Sequence, residues 1–118
     1  MSKKRVYVAG PLNAPATEYI VNCHKMCVIA EAIRRRGFSV YVPCLDYMMG
    51  LLTGTYTYDD YFDNSQPWLE VADAVFFISG WKKSKGCVRE NTLAEKKGVP
   101  TFEIISDMVG YFENLEHA

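Results

Sequence analysis

Ala74-Val75-Phe76-Phe77-Ile78-Ser79 runs straight into Gly80-Trp81-Lys82-Lys83-Ser84-Lys85-Gly86, and from Gly86 to Lys97 the pattern is helical, closed by Gly98. A continuous apolar run of this kind suits a central parallel strand covered on both faces. Working outward, Pro67 to Ala72 reads as a short helix with Pro67 in its first turn, where a missing N–H costs little. Pro100 to Ile105 reads as the last strand and Asp107 to Leu115 as the last helix.

The amino-terminal half repeats the alternation. Val6 to Ala9 is short, apolar and stopped by Gly10-Pro11, so it reads as a buried strand with a loop at its carboxyl end. Thr17 to Arg36 is helical, with Ile20, Cys23, Cys27, Ala30 and Ile33 or Arg34 recurring at three and four residues. Arg34-Arg35-Arg36 before Gly37 is a helix ending: cations by the last carbonyls, then a residue that tolerates positive φ. Phe38 to Val42 is a second strand, closed by Pro43. Leu45 to Tyr61 is rich in aromatics and poor in charge. It reads either as a loop with a short helix, packed on a partner or over a ligand, or as plain core. Strands alternating with helices imply a parallel sheet with helices on both faces, and ligands of such sheets sit at the carboxyl ends of the strands.

The totals bound the rest. The chain of 118 residues suits a single domain, 1–118, with one core. With 49% hydrophobic and 23% charged residues the balance is that of a globular domain, and a formal net charge of -1 offers no field for a nucleic acid polymer or an anionic membrane. No apolar run approaches the roughly 20 residues that span a bilayer, and the stretch behind the basic start is too short for a signal peptide. The expected location is cytoplasmic. Cys23, Cys27, Cys44 and Cys87 are then expected as free thiols. Cys23-His24-x-x-Cys27 invites a metal reading, but no second pair with ligand spacing exists, and small apolar side chains facing a core account for it better. No metal is expected.

The chemistry-bearing side chains gather in loops after strands. Trp81, beside two lysines, offers a flat ring to stack on a base or close a pocket. Ser84 and Gly86 stand where a helix begins, so free backbone N–H groups and a serine hydroxyl make an anion site, with Lys82, Lys83 and Lys85 adding positive charge. The bland alternative is an N-cap serine in a solvated basic loop. The order is not that of a Walker loop. Glu90 lies about one turn into the helix, and a carboxylate there can attack an anomeric carbon to form a glycosyl ester. On its own, a helix glutamate is ordinarily surface.

The order of motifs is more specific. Tyr7-Val8-Ala9-Gly10-Pro11-Leu12, Val40-Tyr41-Val42-Pro43, Pro67-Trp68-Leu69-Glu70-Val71-Ala72-Asp73-Ala74-Val75, Gly80 through Glu90 and Ala94-Glu95-Lys96-Lys97-Gly98-Val99-Pro100 together resemble the nucleoside 2-deoxyribosyltransferase superfamily. The likeness is to its small bacterial and phage members with a G-W-x-x-S-x-G-x-x-x-E signature, and it runs to about Ile105. It implies a flavodoxin-like three-layer α/β sandwich with a mostly parallel four- to five-stranded sheet. It implies Glu90 as nucleophile, Tyr7 close to that carboxylate to position or tune it, and the Gly10-Pro11 loop and Ser84-Gly86 turn binding sugar hydroxyls or a 5′-phosphate. It implies a homo-oligomer, a dimer or tetramer. Related enzymes often place an aspartate ahead of the Ala72-Asp73 pair to handle the base; here that position is Ser65, and Asp63, two residues earlier, is the candidate substitute. Asp73 reads as a brace or cap for the strand.

The expected function is cleavage or transfer at the N-glycosidic bond of a nucleoside or its 5′-monophosphate through a covalent Glu90 intermediate, with no cofactor. The turn at Ser84-Lys85-Gly86 favours the monophosphate and hydrolysis. Three alternatives stand beside it: a nucleotide-binding module without turnover, a nicotinamide-dinucleotide glycohydrolase, and a structural subunit whose tyrosine- and methionine-rich segment is an interface.

Overall fold

A computed structural model describes residues 3–11 and 16–117. Leu12 and Asn13, which the sequence places in the first loop, lie outside the described residues. Among the described residues the order is β1 (Arg5–Ala9), α1 (Ala16–Arg35), β2 (Ser39–Tyr41), α2 (Asp46–Thr53), α3 (Tyr58–Glu70), β3 (Ala74–Phe77), α4 (Lys85–Lys97), β4 (Thr101–Phe102) and α5 (Ile105–Glu116), with single 3-10 turns at Pro43–Leu45 and Trp81–Lys83. The four strands are all parallel, in the order β2-β1-β3-β4. Five helices flank them, which is the flavodoxin-like three-layer α/β sandwich.

Strand parity divides the core. Successive side chains of a strand leave on opposite faces. Val6 and Val8 of β1, with Ala74 and Phe76 of β3, pack against Met26, Ala30 and Ile33 of α1 and Met108 and Phe112 of α5. Tyr7 and Ala9, with Val75 and Phe77, pack on the other face against Leu69 of α3 and Cys87 and Ala94 of α4. Tyr7, Val75 and Phe77 are each at most 1% exposed, and burying a side chain of this size stabilises by about 2–3 kcal/mol. Parity therefore puts Tyr7 on the same side of the sheet as the helix that bears Glu90.

Several elements differ from the sequence expectation. On α1 the expected Cys23, Cys27, Ala30 and Ile33 do pack on the core, joined by the fully buried Met26, while Ile20, at the start of the expected line, is exposed. The segment 45–61 is not a loop with one short helix: α2 ends at Gly54, which takes φ 69°, and α3 opens at Thr57 with a capping box. The Thr57 hydroxyl accepts from the Asp60 N–H, and the Asp60 carboxylate accepts from the Thr57 N–H at 2.7 Å. This cap starts α3 nine residues before the proline expected in its first turn. Pro67 instead lies inside the helix, where it cannot donate to the Asp63 carbonyl one turn back. The last strand is two residues long, and α5 opens at Ile105, two residues early.

Gly50 explains how α2 and α3 come together. A Cβ there would fall 1.8 Å from the Tyr61 hydroxyl oxygen, so only glycine admits that ring against the backbone of α2. At the amino end of the sheet, the Arg5 N–H donates to the Asp73 carboxylate at 2.7 Å and the Asp73 N–H donates to the Arg5 carbonyl at 2.8 Å. Asp73 thus braces β1 to the start of β3, at the end away from the loops. The four cysteines are free. Cys23 and Cys27 are half-buried on α1, His24 is exposed, and among the described residues no group of three His, Cys, Asp or Glu could hold a metal ion.

Candidate functional site

β1 is the strand from which the chain departs in both directions across the sheet, to β2 on one side and β3 on the other. Such a switch point leaves a crevice at the carboxyl ends of the two strands. The crevice here is a cavity of about 310 Å³, a size at the small end for a small-molecule site.

Its floor comes from β1 and from α4. Tyr7 and Gly10 contribute from the first strand and its end, and Ser84, Gly86, Cys87 and Glu90 from the opening of α4. Ser84 caps that helix, its hydroxyl accepting from the Cys87 N–H at 3.3 Å, while its extended backbone turns the chain into the first helical residue. Cys87 and Glu90 are three apart and so share a helix face. Cys87 fills the core beneath, with burial pushing its thiol up to about 12, and Glu90 rises one turn above it. Gly10 is buried, and a Cβ there would meet Ile78 and Met26 side-chain atoms at 2.6–2.7 Å.

The central contact joins the two elements. The buried Tyr7 hydroxyl donates a short hydrogen bond to the Glu90 carboxylate. Burial pushes the Glu90 carboxyl up to about 7, and the Tyr7 hydrogen bond pulls it part of the way back. Tyr7 itself is raised well above its ordinary value, by burial first and by the charge of Glu90 second, so it holds its proton as a donor. A carboxyl poised near neutrality in a cavity is a group suited to nucleophilic or acid–base work.

The rest of the lining is largely aromatic. Tyr19 from α1, Tyr47 from α2, and Tyr58, Tyr61 and Phe62 from α3 make it up, with Pro43 and the buried Ser65. Tyr19 and Tyr47 lie 4.1 Å apart between ring centroids, and Tyr47 and Tyr61 5.9 Å. None of these rings was singled out as a site residue from the sequence, although the aromatic-rich, charge-poor composition of 45–61 is the signal that could have found three of them. The T-x-x-D cap at Thr57 places two of them, Tyr58 and Tyr61, on a helix.

The structure does not bring every expected residue together. Glu90, Tyr7, Gly10, Ser84 and Gly86 converge on the cavity. Asp63 is exposed on α3 and does not line it; Ser65, in the position the sequence comparison marked, does. Trp81 faces a different hollow, between β3 and β4. Its ring stacks on Phe77 at 4.4 Å and its indole N–H donates to Glu103 at 2.9 Å, so it packs over the sheet end rather than over Glu90. Lys85 is exposed outside the cavity, as are Lys82 and Lys83, and Pro11 is half-buried beyond its lining.

An all-parallel α/β sandwich with a carboxyl and a tyrosine meeting at its switch point is the class that fold and geometry define. The chain belongs to the family described as a domain of unknown function, DUF4406, which it matches over residues 4–103. No curated protein matches it in sequence. Its fold is similar to the crystal structure of a conserved protein from Enterococcus faecalis V583, with a TM-score of 0.59 and 17% identity, over 85% of this chain and 62% of that one. At that identity the likeness is one of fold. No helix among the described residues is long and apolar enough to cross a membrane.

Proposed function

We propose that this protein cleaves or transfers at the N-glycosidic bond of a nucleoside or nucleoside 5′-monophosphate, with Glu90 as the nucleophile. The observation that carries the reading is the Tyr7–Glu90 hydrogen bond at the base of a cavity at the strand-end crevice. The resemblance of the chain's motifs to the nucleoside 2-deoxyribosyltransferase superfamily supports it independently. The ionised carboxylate attacks C1′ while the base departs, giving a glycosyl ester that water or a second base resolves. Tyr7 orients the carboxylate and holds its ionised form within reach of neutral pH. Gly86 and Ser84 open a helix beside the cavity, which favours a phosphate on the sugar. The apolar side chains exposed along 45–52, among them Met48, Leu51 and Leu52, fit a homo-oligomeric contact.

The test is incubation with a panel of nucleosides and 5′-monophosphates, following released base. No turnover across the panel, or full activity in Glu90→Ala, sinks the reading. A second reading, a nucleotide-binding module without turnover, draws on Asp63 lying outside the cavity. It predicts a ligand-induced rise in melting temperature with no base released.

A further inference from the structure

The cavity that holds Glu90 is unusual in its charge. Among the described residues Glu90 is the one carboxyl in its lining, and no lysine, arginine or histidine lines it. The lining also holds the rings of Tyr19, Tyr47, Tyr58, Tyr61 and Phe62. Nearby charges do not reverse this balance. Asp46 adds a further carboxylate behind Tyr41, accepting from its hydroxyl at 2.7 Å. Arg89 lies outside the lining, 3.7 Å from the Phe62 centroid, and is paired with Asp59 at 3.6 Å.

Two consequences follow for a glycosidic substrate. A neutral base leaves as an anion unless an acid protonates it, and besides the nucleophile the lining among the described residues offers no acid stronger than tyrosine hydroxyls and the Cys87 thiol, with Tyr7, Tyr19, Tyr61 and Cys87 raised above their ordinary values. A base that carries a fixed positive charge needs no such acid. Aromatic faces together with one carboxylate also attract a cationic ring and give a neutral ring no comparable advantage.

We infer, resting on the glycosidic reading above, that the site is built for nucleosides or nucleotides whose base is cationic at the glycosidic linkage, such as a pyridinium or an N7-alkylated purine. A Glu90 carboxylate oxygen forms the bond to C1′ as the C1′–N bond breaks. Its electron pair passes to the ring, which leaves neutral and unprotonated. Water then adds its hydroxyl to C1′, Glu90 departs as carboxylate, and one proton is released to solvent. The sum is cationic nucleoside plus water giving free sugar, neutral base and a proton.

Matched pairs test this: 7-methylguanosine against guanosine, and nicotinamide riboside against its 1,4-dihydro form, each also as the 5′-monophosphate. Base release is followed by chromatography and divided by the uncatalysed rate of the same compound. The expected result is a rate enhancement at least about tenfold greater for the cationic member of each pair, shrinking in Tyr47→Leu and Tyr61→Leu. Equal or greater enhancement for the neutral members overturns the cationic-base assignment and leaves the glycosidic reading standing. No release from any member, charged or neutral, overturns both.

Discussion

The Tyr7 hydroxyl and the Glu90 carboxylate, 83 residues apart in sequence, are joined by a hydrogen bond because strand parity and helix phase each deliver one of them to the same point. Tyr7 leaves β1 on the face that α4 covers, and Glu90 stands one turn above Cys87, whose thiol is anchored in that face. The pair is therefore a product of core packing as much as of the loops.

Removing the hydroxyl isolates its contribution. In Tyr7→Phe the carboxyl of Glu90 loses the interaction that pulls its pKa down from where burial would set it. The rising limb of kcat/KM against pH, expected near 7 for the wild type, moves to higher pH in the variant, with a loss of about tenfold or more at pH 7. A profile with its limb unmoved contradicts the tuning role.

Glu90 also makes stability depend on pH. Its folded value, about 7, is raised above the roughly 4.3 of an unfolded glutamate. The folded state thus favours the protonated form; the associated stability is fully present below about pH 4.3 and is lost as pH rises through 7. Glu90→Gln removes this dependence. Urea unfolding should find the variant more stable than the wild type at pH 8, by on the order of 2–3 kcal/mol, and the advantage should disappear at pH 4.5.

Gly50→Ala tests the seam between α2 and α3. The new methyl cannot coexist with Tyr61 in its present place, so the ring must swing or the helices separate, at a cost of about 1–3 kcal/mol. In a Tyr61→Ala background the same substitution should cost little, a non-additivity that a double-mutant cycle measures directly.

Thr57→Ala removes half of the capping box that opens α3. The expected loss is about 1 kcal/mol of stability. Because Tyr58 and Tyr61 lie in the first turn it secures, KM should rise more than kcat falls; an unchanged KM would detach that turn from substrate binding.

The legibility of this fold was uneven for physical reasons. The stretch 74–79 and the helix ending at Gly98 were plain because a twice-covered strand and a left-handed C-cap leave compositional marks. The order and parallel sense of the layers followed from alternation. Segment 45–61 is obscure because α2 has apolar side chains nearly all around, and the decisive signals are a cap at Thr57 and a close approach at Gly50, which shows only against a tertiary neighbour. Within the site, Glu90 and Tyr7 could be named from motif order. The displacement of Trp81 could not, since nothing local says that its ring lies over Phe77 and its N–H reaches Glu103. Asp63 falls outside the cavity for a simpler reason: two residues along a helix turn a side chain by about 200°, enough to carry it from the cavity face where Ser65 sits to solvent.

The Asp73 brace at the far end of the sheet gives the molecule two poles with separate duties. The amino pole secures strands; the carboxyl pole holds the cavity. Robustness can therefore be lowered at Asp73, whose carboxylate is the one side-chain group in the brace, while the cavity is left alone, which makes that remote position a handle for engineering stability without altering what the cavity accepts.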